Sequence, residues 1–250
     1  MNMAELLARE AELTDAARDE HGPYFATAMH CCAYLTSQVA KIDDDRFLFR
    51  AMNALVGKHA ILATLSFVRR HRVQGSMNMR QVTESAQRAC YFLARPKDHV
   101  RETETEIVVD EAGVRDKTYR FFNDEMAEHA EAFKAAKKVI NMTEAHASLR
   151  GAMFIAGQSA TGGDLFFDAD DPVLVRVGLW SVINTTVGTL DAYHLVAQRY
   201  GGITFAEGFE DTFAAVLQMR DRLHGELWSQ DEVKALEDVA ADDEKSDSAR

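Results

Sequence analysis

Proline is scarce in this chain, with three in 250 residues. Together with only 14 glycines, that is too few turn-formers for a many-stranded β architecture, and it excludes collagen-like or Pro-rich compositions. Cysteine is equally scarce: Cys31, Cys32 and Cys90 form an odd set with no Cys-x-x-Cys spacing. That excludes a disulfide framework and zinc-ribbon ligation, leaving buried thiols in a reducing compartment as the expectation. Positive charge is short as well. Lys and Arg number 28 against 40 Asp and Glu, a net of −12, and such a field disfavours coating a nucleic acid. Long uncharged apolar runs are missing: residues 60–68, the best candidate, are closed by Arg69, Arg70 and Arg72, well short of the roughly 18 residues of a membrane span. The first ten residues carry acids where a secretory leader needs bases and an apolar stretch. The expectation is a cytoplasmic protein with no membrane partner.

What is present is helical periodicity. A segment over residues 4–20 ends at Gly22 and Pro23, because proline resists a helix interior but suits a helix start. The next, residues 24–41, repeats Phe25, Met29, Cys32, Leu35 and Val39 on one face. A third, residues 46–72, places Leu48, Met52, Leu55, His59, Leu62 and Ser66 down a stripe read as its core face, with Gly57 as an interruption. Gly75 or its surroundings turn the chain into a fourth helix, residues 77–94, stopped near Arg95 and Pro96. A fifth covers residues 116–139. The stretch before it is acidic, and residues 106–110 read equally as a short strand or a helical turn.

Two short apolar runs around residues 157–163 read as a small β-hairpin, about residues 151–169. Asp171 and Pro172 then open a long helix to Tyr200, ended by Gly201 and Gly202. Thr204 and Glu207 have capping-box spacing for a last helix to about Trp228. Ser229 and Glu232 suit a short capped turn, and residues 229–250 hold eight acids and three bases, so the end of the chain reads as a flexible, disordered acidic tail. The fold expected is mostly α: one domain over residues 1–228, a helical bundle with one small β-hairpin, followed by that tail.

Chemistry has a few places to reside. Arg80, Glu84, Gln87 and Tyr91 follow one another at steps of four, three and four residues, along one helix face beside the apolar Val82, Ala86, Ala89 and Leu93. Arg80 offers a planar fork to a carboxylate or phosphate, and Glu84 could orient it or take a proton. The plainer reading is an Arg–Glu pair in a structural network, with both side chains largely buried. His59, His129 and His194 each sit in an apolar helical stripe, yet the chain lacks His-Glu-x-x-His and paired Glu-x-x-His spacing. Core histidines are therefore expected, with no metal and no cofactor. His146, at a helix end before the hairpin, reads as a turn lock or a cleft residue.

Between Arg69 and Arg101 lie eight bases and two acids; between Glu102 and Glu131, ten acids and three bases. Phosphate or nucleic-acid binding is one reading of the first segment, and neutralisation by the second is the preferred one. Gly157, Gly162 and Gly163 lack the Lys of a P-loop, and neither a dinucleotide fingerprint nor a nucleophile elbow occurs.

The residues Leu65 to Arg69, the run Met79 to Glu84, and His146 ahead of an apolar hairpin resemble bacterial helical proteins with HEPN-like organisation. Over residues 45–170 the resemblance implies a helical bundle with a polar centre near Arg80, Glu84 and His146. It does not extend to the Arg–His motif of HEPN ribonucleases: Arg120 and His129 stand too far apart, and Arg220 and His224 too close. The function expected is a non-catalytic helical binding or interaction protein, with a homo-oligomer or another protein as partner. The alternative is a HEPN-like enzyme or phosphate-ligand domain, its candidate ligand contacts being Arg80, Glu84, Gln87, Tyr91 and His146.

Overall fold

The computed structural model describes residues 2–98, 100–102, 107–143, 166–168, 171–231 and 233. Helix α1 (Met3–Ser37) opens with a capping box, in which the Asn2 side chain accepts from Glu5 N and the Glu5 carboxylate accepts from Asn2 N. It kinks at Gly22, whose φ of 48° is open to glycine at little steric penalty. Pro23 then starts the second half. Strand β1 (Val39–Ile42) and a 3-10 turn (Asp44–Arg46) lead to α2 (Phe47–Val68). A tight turn, with Arg70 at φ 60°, reverses the chain into α3 (Arg72–Ala94).

Strands β2 (Val100–Glu102) and β3 (Ile107–Val109) form an antiparallel hairpin. Helices α4 (Glu111–Glu125) and α5 (Ala127–Thr143) follow. Then come α6 (Pro172–Tyr200), β4 (Ile203–Phe205) and α7 (Phe209–Trp228). The α6 start is built as the sequence implies: Asp171 Oδ1 accepts from Val173 N and Leu174 N, and Pro172 occupies the first turn.

The bundle has α6 at its centre, packed against α1, α2, α3 and α7. Its apolar side chains Leu179, Ile183 and Leu190 are fully buried. Phe67 of α2 is held between bare backbones: a Cβ at Gly75 on α3 would lie 2.6 Å from its ring, and one at Gly178 on α6 2.5 Å. β1 pairs antiparallel with β4, Val39 opposite Phe205 and Ile42 opposite Ile203, which clasps the end of α1 to the α6–α7 link. Tyr24 and Tyr34 on α1 donate to the carbonyls of Leu223 and Phe209 on α7, each at 3.0 Å.

A mostly α bundle is thus what the chain forms, with several local corrections. Residues 39–42 are strand, since a partner at residues 203–205 offers ladder bonds that outweigh local helical spacing. Gly57 and Gly75 lie inside helices without breaking them; their missing side chains admit Thr36 and Phe67. The fifth helix is two, divided at Met126, which leaves helical φ/ψ. Thr204 and Glu207 form no capping box: Thr204 is in β4, and Gly208, at φ 74°, precedes the helix. The antiparallel pair described joins residues 100–102 to 107–109, so that residues 107–109 of the undecided stretch are strand and Asp110 caps the next helix. Most of the hairpin expected at 151–169 lies outside the described residues, as do His146 and residues 234–250.

The largest correction concerns α2. Its buried side chains are Phe49, Asn53, Val56, Ala60, Ala63, Thr64, Phe67 and Val68. The stripe read as its core face is instead its margin, with Leu48, Met52, His59 and Ser66 half-buried and Leu55 and Leu62 exposed. Two apolar faces share this helix, and periodicity alone does not say which turns inward.

Candidate functional site

The α3 stripe runs from a wet end to a dry one. Arg80 Nε donates to Glu84 Oε1 at 3.0 Å, with the two side chains 37% and 30% exposed. The pair is half-exposed, correcting the expectation of burial, and such a helix pair is worth only about 0.3–0.5 kcal/mol. One turn on, Gln87 is buried and its Oε1 accepts from Lys137 Nζ of α5, whose ammonium lies 5.1 Å from the Tyr119 ring centroid. Tyr91 is buried too, its hydroxyl donating to Asp98 Oδ2 at 3.1 Å. Burial, and then the Asp98 carboxylate, push that phenol up to about 12. The four side chains therefore serve three separate partnerships rather than converging on one point.

Past the end of α3 lies a junction the sequence reading missed. Arg95 Nη2 donates to Glu125 Oε1 at 3.2 Å, and the Tyr200 hydroxyl donates to Glu125 Oε2. Arg199 Nη1 donates to the Glu125 carbonyl at 2.6 Å, and the Arg95 guanidinium stands 4.9 Å from the Tyr200 ring centroid. The hydrogen bond to Glu125, more than burial, raises the Tyr200 phenol. Arg95, Glu125 and Tyr200 each close a helix, and a cation beside the C-terminal carbonyls also favours the helix dipole. The only hint in the sequence was that Arg95 and Tyr200 each precede a breaker, Pro96 and Gly201.

The histidines tie helices together. His59 Nδ1 is 2.8 Å from Asn78 Oδ1, bridging α2 and α3. His71 Nε2 is 2.8 Å from Glu10 Oε1 and its ring stacks on Phe167. His129 Nε2 lies 2.9 Å from Asp191 Oδ2, and His194 Nε2 2.9 Å from Glu210 Oε1. The hydrogen bond from His129 lowers the Asp191 carboxyl, helped by the charges of His129, His194 and Arg220. Thus His129 and His194 pair with different carboxylates, Asp191 and Glu210, and His59 belongs to another seam. Among the described residues, no group of three or more His, Cys, Asp and Glu side chains is arranged to hold a metal ion.

Arginines of the basic segment reach into the acidic one: Arg88 to Glu111 at 3.3 Å and Arg95 to Glu125 at 3.2 Å. The three thiols are buried and unpaired as disulfides. Burial pushes Cys31 up to about 12 and Cys32 up to about 11, and Cys90 also upward. Thiols held that high supply little thiolate at neutral pH.

The remaining feature is apolar. Helix α2 carries Arg50 and Lys58 as its only charged residues and has no acid at all. It lies between α1, where a Cβ at Gly57 would come 2.6 Å from Thr36 Cγ2, and α3, which it meets at His59. Its outer arc is exposed at Arg50, Ala51, Ala54, Leu55, Lys58, Ile61 and Leu62. On the adjoining part of α3, Val73 and Met77 are exposed as well. By length and composition both Asp44–Val68 and Pro172–Tyr200 are apolar enough to cross a membrane, and about half of each such window is buried within the bundle. No family model, curated protein or solved structure matches the chain.

Proposed function

We propose that this protein is a helical interaction protein, acting by docking on another protein surface and not by catalysis. One observation carries the reading. Helix α2 is largely apolar, with Arg50 and Lys58 its only charges, yet the bundle buries only its inner side and leaves Leu55, Ile61 and Leu62 exposed. A helix of that composition is ordinarily covered all round. The polar stripe supports the same reading, because Gln87, Tyr91 and the Arg80–Glu84 pair are engaged within the chain.

Lysine-directed cross-linking in cells producing the full chain tests it. Lys58, at the middle of the outer arc, is expected to link to another polypeptide chain, identical or different. If Lys58 links only within its own chain while Lys117 and Lys134 link outward, the docking face is not on α2 and the reading fails. The alternative, a phosphate-containing ligand held by Arg80, Glu84 and His146, requires Arg80 to exchange Glu84 for the ligand. A thermal upshift with inorganic phosphate or a nucleotide, abolished by Arg80→Ala, would put that alternative first.

A further inference from the structure

Resting on that reading, we infer that the occupant of the α2 face is a second copy of this chain, with the two α2 helices packed across a two-fold axis. Size argues for this first. Leu55, Ile61 and Leu62 are each 38% exposed, Val73 44% and Met77 53%. These five side chains present on the order of 400 Å² of apolar surface, the size at which a monomer's largest patch tends to be an interaction site. The two exposed alanines, the Lys58 stem and the half-buried Leu48, Met52 and Leu65 bring the face to about the 800 Å² per partner of a standard stable interface.

Shape points the same way. On the outer arc Ala51, Ala54, Lys58, Ile61 and Leu65 recur at alternating steps of three and four residues, the 3.5-residue period with which one α-helix seats against another. Ala51 and Ala54 keep the outer arc low enough for close approach of a helix. Two-fold pairing of identical surfaces is also the commonest way a soluble chain covers such a face. A lipid surface suits the face less well, because α2 has neither Trp nor Tyr to anchor at a headgroup layer.

Arg50 and Lys58, both exposed on the arc, oppose the pairing. The Lys58 stem can lie along apolar surface while its ammonium turns toward the rim, and each cation meets like charge from the other copy. Two molecules of net charge −12 also repel at long range. Both effects are screened by salt. The dimer therefore tightens as salt rises, whereas binding of Lys58 to an acidic partner or an anionic vesicle weakens.

Sedimentation equilibrium of the full chain, from micromolar concentration upward at low and high salt, tests the inference. A dimer that tightens with salt is expected. Leu55→Glu with Leu62→Glu should leave a monomer of unchanged far-ultraviolet circular dichroism, and Tyr119→Glu, on another helix, should leave the dimer intact. Lys58→Met should tighten the dimer by about tenfold, because it replaces a like-charge contact by an apolar one; this gain cannot arise from misfolding. A monomeric wild-type chain overturns the inference, as does a dimer that survives the double substitution. Should the chain be monomeric, cosedimentation with phosphatidylglycerol vesicles that the double variant loses would assign the face to lipid instead. A monomeric chain whose Lys58 still cross-links to other proteins in cells sinks the dimer and leaves the docking reading standing.

Discussion

On α3 the polar side chains of the stripe are engaged by partners in the same chain: Gln87 by Lys137, Tyr91 by Asp98, Arg80 by Glu84. On α2, its neighbour in the same helical hairpin, apolar side chains beyond those the core takes up stay at the surface: Leu55, Ile61 and Leu62. The difference teaches where to look for function. A buried polar group with a partner is a structural necessity, because leaving it unpaired costs about 1–3 kcal/mol. An exposed apolar helix face answers no need of the monomer, so it points outward to something else. The inner side of α2 supplies the reference for both, and substitutions there should have the largest effect.

Phe67 provides that reference. Its ring fills the space that Gly75 and Gly178 leave open, joining α2, α3 and α6. Phe67→Ala would leave a cavity between three helices, and the expected loss is about 3–5 kcal/mol in urea or guanidinium unfolding. A loss under 1 kcal/mol would mean that the inner and outer sides of α2 are not energetically distinct, and the comparison would break.

The dry end of the α3 stripe comes next. Gln87 is 3% exposed and shares its oxygen with Lys137 across the α3–α5 contact. Gln87→Leu keeps the volume but strands the Lys137 ammonium, and about 1–3 kcal/mol should be lost. The companion Lys137→Met leaves the buried Gln87 oxygen without its donor, and should lose at least as much in the same measurement.

Asp191 yields a smaller effect with a defined sign. Its carboxyl is lowered by His129, so the folded state gains stability above the unfolded carboxyl's value near 3.9 and loses it as pH falls through the lowered value. The side chain is 52% exposed, and solvent screening keeps the contribution below about 1 kcal/mol. Asp191→Asn should therefore be less stable than the parent at pH 7, with the gap closing in urea melts below pH 3. A gap that widened on acidification would contradict the assignment.

Much of this architecture was legible from residue spacing, and its failures are instructive. Asp171, Pro172 and Gly201 mark the bounds of α6 because caps and breakers are local chemistry. β1 was not legible, since its partner β4 lies some 160 residues away and a ladder that distant leaves no local trace. The core side of α2 was misread because apolar residues run along both its sides, and the one orienting cue, Arg50 and Lys58 on the outer face, is shorter than the apolar stripe. On α3 the spacing found the right stripe, while burial along it depended on α5, whose placement no periodicity reveals. The Arg95–Glu125–Tyr200 junction escaped for the same reason: three helix ends meet only once the chain has folded.

The smallest effect belongs to the wet end of the stripe, and it tests the comparison most finely. Glu84 accepts from Arg80 four residues earlier, on a helix surface where water reaches both side chains. Replacing Glu84 by Ala removes a modest attraction, and alanine's higher helix propensity returns part of it. The net change in unfolding free energy should stay within about 0.5 kcal/mol. Because Arg80 is itself partly solvated, it is not left as a buried unpaired charge, which is the circumstance that makes such deletions severe. A loss of 2 kcal/mol or more in Glu84→Ala, not recovered in Glu84→Gln, would mean that the carboxylate serves further partners. The Arg80–Glu84 pair would then join the buried network of Gln87 and Tyr91, and the polar stripe would be one connected site from end to end.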